Sequence, residues 1–227
     1  MKATPSRKFV YIVSAIAALA GLLFGFDTGI ISGALLFIEK DFTLSIEMKE
    51  LIVSSVLVGA MCASLFSGYL TDRFGRRRLM LVISGLFIAG TAIASFATLV
   101  PEILFGRVII GLAIGVGSYT APLYIGEVAP YELRGGLVSL NQLAITVGIL
   151  CSYLINYAFT SFDGSWRWMF GIGLVPAILL SIGMIFLPES PRWLVKQDRS
   201  DEAINVLQRL RNTDDVQHEV TEIKNSL

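Results

Sequence analysis

Two ionisable side chains stand where an apolar run would otherwise be unbroken: Asp27 within GLLFGFDTGIISGAL and Arg107 within GRVIIG. A charge inside an apolar, membrane-length segment costs several kcal/mol, so such a residue is a functional candidate by default. An acid facing a base can take up and release a proton. The guanidinium favours the carboxylate and dehydration favours the neutral acid, so changes in hydration can tip the balance. The alternative is a static ion pair that holds two helices in register. A second pattern is a polar stripe, Ser139, Gln142, Thr146, Ser152 and Asn156, with Ile149 in the remaining position of the same helical face. Hydroxyls and amides suit an uncharged polyhydroxylated ligand, since an amide both donates and accepts. They equally suit hydrogen bonds to neighbouring helices. Phe24, one turn from Asp27, offers an apolar ring face to a sugar or to packing. His218 is the single histidine, so no nucleophile, base and orienting group come together, and neither enzymatic chemistry nor a metal site is expected. Gly111, Gly115 and Gly117 follow no strand, which argues against a nucleotide loop and for close helix approach.

These side chains need a frame that keeps them from water. Of the 227 residues, 54% are hydrophobic and 16% charged, against roughly 45–50% and about 25% in ordinary globular chains. That composition excludes a disordered chain, a nucleic-acid partner and a typical soluble enzyme. Cys62 and Cys151 sit in apolar runs, which argues against a disulfide framework. Six runs reach the roughly 20 residues a bilayer span requires: 9–38, 51–70, 79–100, 103–125, 137–159 and 168–187. The expected fold is therefore an all-α membrane bundle of six antiparallel helices. Residues 1–8 precede it and residues 188–227 follow it, with Pro101–Glu102 read as a tight turn. An A-x-A site at Ala18–Ala20 resembles a signal cleavage site, but the apolar run continues to Ile38. Fourteen Lys and Arg fall on one side of this topology and three on the other, Lys40, Lys49 and Arg167. Both termini are therefore expected in the cytosol. The short outer connections point to a bacterial plasma membrane.

On the same count Asp27 and Arg107 lie roughly 16 Å and 6 Å from the outer ends of their helices, a gap that helix tilt narrows. Beyond Pro188 the chain turns amphipathic. Ser200 is placed to cap a short helix with Asp201 and Glu202 in its first turn and Arg209 and Arg211 in its last. Val216, Val220, Ile223 and Leu227 form the stripe of a second helix, which must be covered by something, and the chain reads as an incomplete molecule.

The connections carry a resemblance. GYLTDRFGRRR (Gly68–Arg78) resembles the signature between the second and third spans of the major facilitator superfamily. GLLFGFDTGIISGAL, GRVIIG, PLYIGEVAPYELRG (Pro122–Gly135), NQLAITVG (Asn141–Gly148), WRWMFG (Trp166–Gly171) and PESPRWL (Pro188–Leu194) resemble the sugar porter subfamily, in family order along nearly the whole chain. The resemblance implies the N-terminal six-helix half of a twelve-span transporter that moves a hexose or pentose by alternating access. It implies a proton as coupling ion and no other cofactor. The partners it implies are a monosaccharide, the bilayer and a C-terminal six-helix half. It makes Asp27 and Arg107 the proton-coupling pair, and Phe24 and Gln142 sugar-binding residues. At Ile149 some members carry a second glutamine. Asp72, Arg73, Arg76, Arg77, Glu127, Arg134, Glu189 and Arg192 match a salt-bridge set at the inner end that links the halves in one state and releases them in the other. Arginines there would also serve simply as cytosolic anchors. A proton-independent facilitator and a non-transporting sensor or fragment are the competing functions.

Overall fold

A computed structural model describes residues 8–161 and 165–226. Lys2 and Arg7 of the basic N-terminus and Leu227 of the tail stripe lie outside them. The described residues form ten α-helices and no strand: α1 (Lys8–Asp41), α2 (Ile46–Phe74), α3 (Arg76–Ser95), α4 (Val100–Val128), α5 (Arg134–Ala158), α6 (Ser165–Ile172), α7 (Leu174–Phe186), α8 (Pro191–Lys196), α9 (Ser200–Arg211) and α10 (Gln217–Asn225), with a 3-10 turn at Tyr131–Leu133 before α5. Among the described residues six stretches are long and apolar enough to cross a membrane, α6 and α7 together making the sixth.

The helices outrun the apolar runs because polar residues continue them beyond the hydrocarbon depth. The connection between the third and fourth spans differs from the tight turn expected at Pro101–Glu102. α3 stops at Ser95, and Pro101 and Glu102 belong to the first turn of α4. Proline is at home there because that turn has no internal partner for its missing N–H. Glu102 accepts the Thr98 and Leu99 N–H groups at 2.6 and 3.1 Å and so ties the connection to the helix start. The sixth span is likewise interrupted, at Gly173. Pro176 brings no N–H to the carbonyl four residues back, so a continuous helix would leave that group unpaired.

Helix spacing is set by glycine. Gly21, Gly25, Gly29 and Gly33 recur every fourth residue on α1 and face α5. A Cβ at Gly25 would overlap the Ile145 carbonyl oxygen, one at Gly29 the Ser152 hydroxyl, and one at Gly33 the Asn156 amide. Gly111 and Gly115 of α4 meet Val56 and Ala60 of α2 in the same way, whereas Gly117 has only ordinary contact with Ile83. Small residues let backbones approach where lipid provides no hydrophobic drive for helices to associate. One apolar cluster, including Val13, Met80, Ala113, Tyr124 and Met184, fills the bundle toward the α2–α3 end. A second, with Ile30, Ile38, Ile103 and Trp166, fills the other end. Large apolar side chains such as Leu57, Met61 and Leu65 of α2 and Leu150 and Leu154 of α5 are exposed, as a bilayer or a second bundle requires and water does not.

The tail covers its own stripes: Trp193, Leu194, Ala203, Leu207, Val216 and Val220 bury one another. Ser200 is the first helical residue of α9, with Arg199 at the cap position and no side-chain cap bond, so the expected serine cap is not formed. Arg211 docks the tail on the bundle by donating to the Val128 carbonyl at 2.8 Å.

Candidate functional site

α1 and α4 bring Asp27 and Arg107 together. Arg107 Nη1 donates to Asp27 Oδ1 at 3.4 Å, with side chains 1% and 3% exposed respectively. That single bond lies beyond the usual range for N–H···O and is far from the paired geometry a guanidinium can offer a carboxylate. Arg107 has a second anchor, since its Nε donates to the Ile52 carbonyl of α2 at 2.7 Å. The guanidinium also lies 6.0 Å from the Phe170 ring centre. Arg107 is thus held on the α2–α4 pair whether or not Asp27 is charged. The two residues share a cavity of about 520 Å³ whose walls are mostly apolar, Val56, Leu57 and Met61 among them, with Thr28, Ser64 and Ser118 as its other polar side chains and Phe24 on one wall.

A smaller cavity of about 450 Å³ lies between α1, α4 and α5, and Phe24, Ser118, Asn141 and Gln142 are among its walls. Phe24 and Ser118 border both cavities, so the ring sits between the acid–base couple and the α5 amides. The polar stripe divides in two. Ser139, Gln142 and Thr146 are exposed. Ser152 and Asn156 are buried against α1, where Asn156 Nδ2 donates to the Gly29 carbonyl at 3.2 Å. The first part is open to a ligand and the second joins helices. Ile149 is half-buried between them. Ser118 and Asn141 were not singled out in the sequence. Asn141 is next to Gln142 and reads as its extension, while the Ile52 carbonyl is backbone and leaves no trace in residue type.

The charged residues at the opposite end have unequal surroundings. Arg76 holds Glu127 with two bonds of 2.8 Å, Nε to Oε2 and Nη2 to Oε1, with side chains 6% and 7% exposed. Asp72 accepts from Arg76 at 3.3 Å and from Lys196 at 2.9 Å. Glu189 makes no salt bridge among the described residues. Its Oε1 accepts the backbone N–H groups of Arg76, Arg77 and Ser190 at 2.9, 3.0 and 2.9 Å, placing an anion at the positive end of α3. Gly75, at φ +89°, makes room for it, since a Cβ there would overlap the carboxylate. Arg77 does the converse and donates to the Met184 and Ile185 carbonyls at the end of α7, at 3.0 and 2.6 Å. Tyr124 donates to the Pro188 carbonyl at 2.6 Å and secures the same junction. Arg73 donates to its neighbour Tyr69 at 2.7 Å. Arg134 and Arg192 are exposed and have no ion-pair partner among the described residues; they border an open cleft of about 740 Å³ with Glu127, Glu132 and Glu222. At the other end of the bundle Asp41 accepts from Trp166 and Arg167, and Lys49 pairs with Glu39.

Residues 13–227 match the family model described as "Sugar (and other) transporter". The chain is 46% identical over 214 residues to the glucose transporter GlcP of Staphylococcus epidermidis, covering 94% of this chain and 48% of that protein. It is 45% identical over 223 residues to the galactose-proton symporter of Escherichia coli K12, covering 98% and 48%. Among solved structures, the proton:xylose symporter XylE bound to 6-bromo-6-deoxy-D-glucose superposes with a TM-score of 0.90 at 32% identity, over 96% of this chain and 53% of that one. The chain spans about half the length of the curated relatives it matches.

Proposed function

Since the chain belongs to the sugar transporter family, we propose that it supplies the N-terminal half of a proton-coupled transporter that moves a hexose or pentose by alternating access. The observation that carries this reading is the buried Asp27–Arg107 couple in a cavity that shares the Phe24 wall with the Gln142 site. A proton arriving through this cavity joins the Asp27 carboxylate and removes its charge. The neutral acid keeps at most a weak hydrogen bond to Arg107, which stays tethered to the Ile52 carbonyl. α1 is then free to shift against α4, and the Phe24 wall moves with it. Gln142 donates to and accepts from sugar hydroxyls, and the Phe24 ring covers an apolar face of the sugar. The complementary wall comes from a C-terminal six-helix half, because such sites form between repeats near the midplane.

Within the inner-end set, the bonds made inside this chain hold its own helix ends: Arg76 to Glu127 and Asp72, Glu189 to α3, and Arg77 to α7. Arg73, Arg134 and Arg192 have charge to offer a second half, and exposed pairs worth about 0–1 kcal/mol each suit a contact that must open. The basic end of the bundle, with both termini, faces the cytosol, and the membrane is a bacterial plasma membrane.

The test is uptake of radiolabelled D-glucose, D-galactose and D-xylose into proteoliposomes containing this chain joined to a C-terminal six-helix half. Accumulation driven by an inward proton gradient supports the reading. Gradient-independent equilibration would make the protein a facilitator, and sugar binding without flux would make it a sensor.

A further inference from the structure

We propose that Asn141 is a second sugar-contacting amide beside Gln142, and that it discriminates between sugars by a single hydroxyl. The inference rests on the transport reading and deepens it. Asn141 is 8% exposed on α5 and borders the smaller cavity with Gln142 and Phe24. It packs against Gly21, where an added Cβ would lie 2.7 Å from both its Oδ1 and its main-chain oxygen. That Oδ1 is buried without a hydrogen-bond partner, as is the Oδ1 of Asn156, so what distinguishes the two amides is the use of Nδ2.

The same helix carries its own control. Asn156 also packs against an α1 glycine, Gly33, and donates its Nδ2 to the Gly29 carbonyl at 3.2 Å. There Nδ2 joins α1 to α5, while Oδ1 is left without a partner as it is in Asn141. Asn141 occupies the corresponding kind of position at Gly21 and makes no such bond to α1. Helix association does not use the Nδ2 of this amide. What remains is the cavity. With Oδ1 turned to Gly21, the Nδ2 edge of the amide is the one left for an occupant, and an N–H donor there suits a sugar hydroxyl oxygen. Gln142, one residue on, can bond a neighbouring hydroxyl, so the two amides together read a pair of adjacent hydroxyls. A sugar lacking the hydroxyl read by Asn141 leaves its donor unpaired, which is how polar sites reject close analogues.

The experiment is calorimetric binding to the chain joined to a C-terminal half, using the tightest binder among D-glucose, D-galactose and D-xylose together with its monodeoxy analogues. Asn141→Leu is expected to weaken the parent sugar about tenfold, the scale of one hydrogen bond. One monodeoxy analogue should bind wild type and variant equally, while the others keep the tenfold loss. Asn156→Leu is expected to lower Tm without any analogue-specific pattern. An equal loss across every analogue for Asn141→Leu, or no loss at all, would overturn the proposal. Should Asn141→Leu not fold, Asn141→Ser is judged by the same pattern. If wild type accumulates sugar and the pattern is flat, this inference alone fails; if wild type binds none of the three sugars, the transport reading falls with it.

Discussion

Among the described residues two arginine–carboxylate pairs that cross between helices of this bundle have both side chains buried, and they are built differently. Arg76 and Glu127 meet at the charged end through two bonds of 2.8 Å, and Arg76 has Asp72 in addition. Arg107 and Asp27 meet in the apolar interior through one bond of 3.4 Å beside a cavity, with the arginine separately fixed to a backbone carbonyl. The first pair is saturated, although Glu127 borders the open cleft. The second is loose, and its acid can lose its charge without freeing the arginine. A pair that only needed to hold helices would be expected to look like the first.

That contrast orders the consequences of substitution. Arg76→Leu strands the Glu127 carboxylate, and removing one partner of a buried pair costs about 3–5 kcal/mol. Chemical denaturation of the reconstituted protein should show a loss of that size, and a loss near zero would erase the distinction. Gly25→Val drives a side chain into the Ile145 carbonyl and is expected to cost about 1–3 kcal/mol by overpacking, read as a lower Tm and as weaker α1–α5 crosslinking. Gln142→Ala should reduce sugar affinity about tenfold, near the 1.4 kcal/mol of one lost hydrogen bond, with folding stability unchanged. Asp27→Asn should cost under about 1 kcal/mol of stability, because the amide keeps an acceptor oxygen for Arg107 and the Ile52 carbonyl still holds the guanidinium.

The smallest effect belongs to the tail. Two bonds of 2.6 Å from Arg199 hold the Glu202 carboxyl below the ordinary glutamate range. A depressed folded-state value means that the pair's stabilisation is present above the ordinary glutamate range and is lost as pH falls through the folded value. NMR titration should show Glu202 shifted down, and returning to the ordinary range in Arg199→Gln.

The bundle was legible because six runs exceed a bilayer span, whereas the ends of the helices were not. Polar residues such as Asp72 and Arg76 extend helices past the apolar runs, and Pro101 sits inside a helix start rather than in a turn. The periodicity of Ser139 to Asn156 identified one face of α5 but not what covers it. α1 crosses α5 lengthwise, from Gly21 at Asn141 to Gly33 at Asn156, so Ser152 and Asn156 are buried under it while Ser139, Gln142 and Thr146, turned away from it, stay exposed. The glycine ladder of α1 was visible at every fourth residue and would have marked that crossing. Asp27 and Arg107 stood out because charge in an apolar run is conspicuous. The bonding of Glu189 did not, because its partners are backbone N–H groups that no residue type announces.

The most direct measurement is sugar-driven proton movement, followed with a pH-sensitive dye in proteoliposomes holding this chain joined to a C-terminal half. Adding sugar should alkalinise the external medium with wild type. Asp27→Asn should abolish that signal while leaving sugar binding intact. Alkalinisation by the Asp27→Asn protein equal to that of wild type would mean that the proton does not travel through this acid.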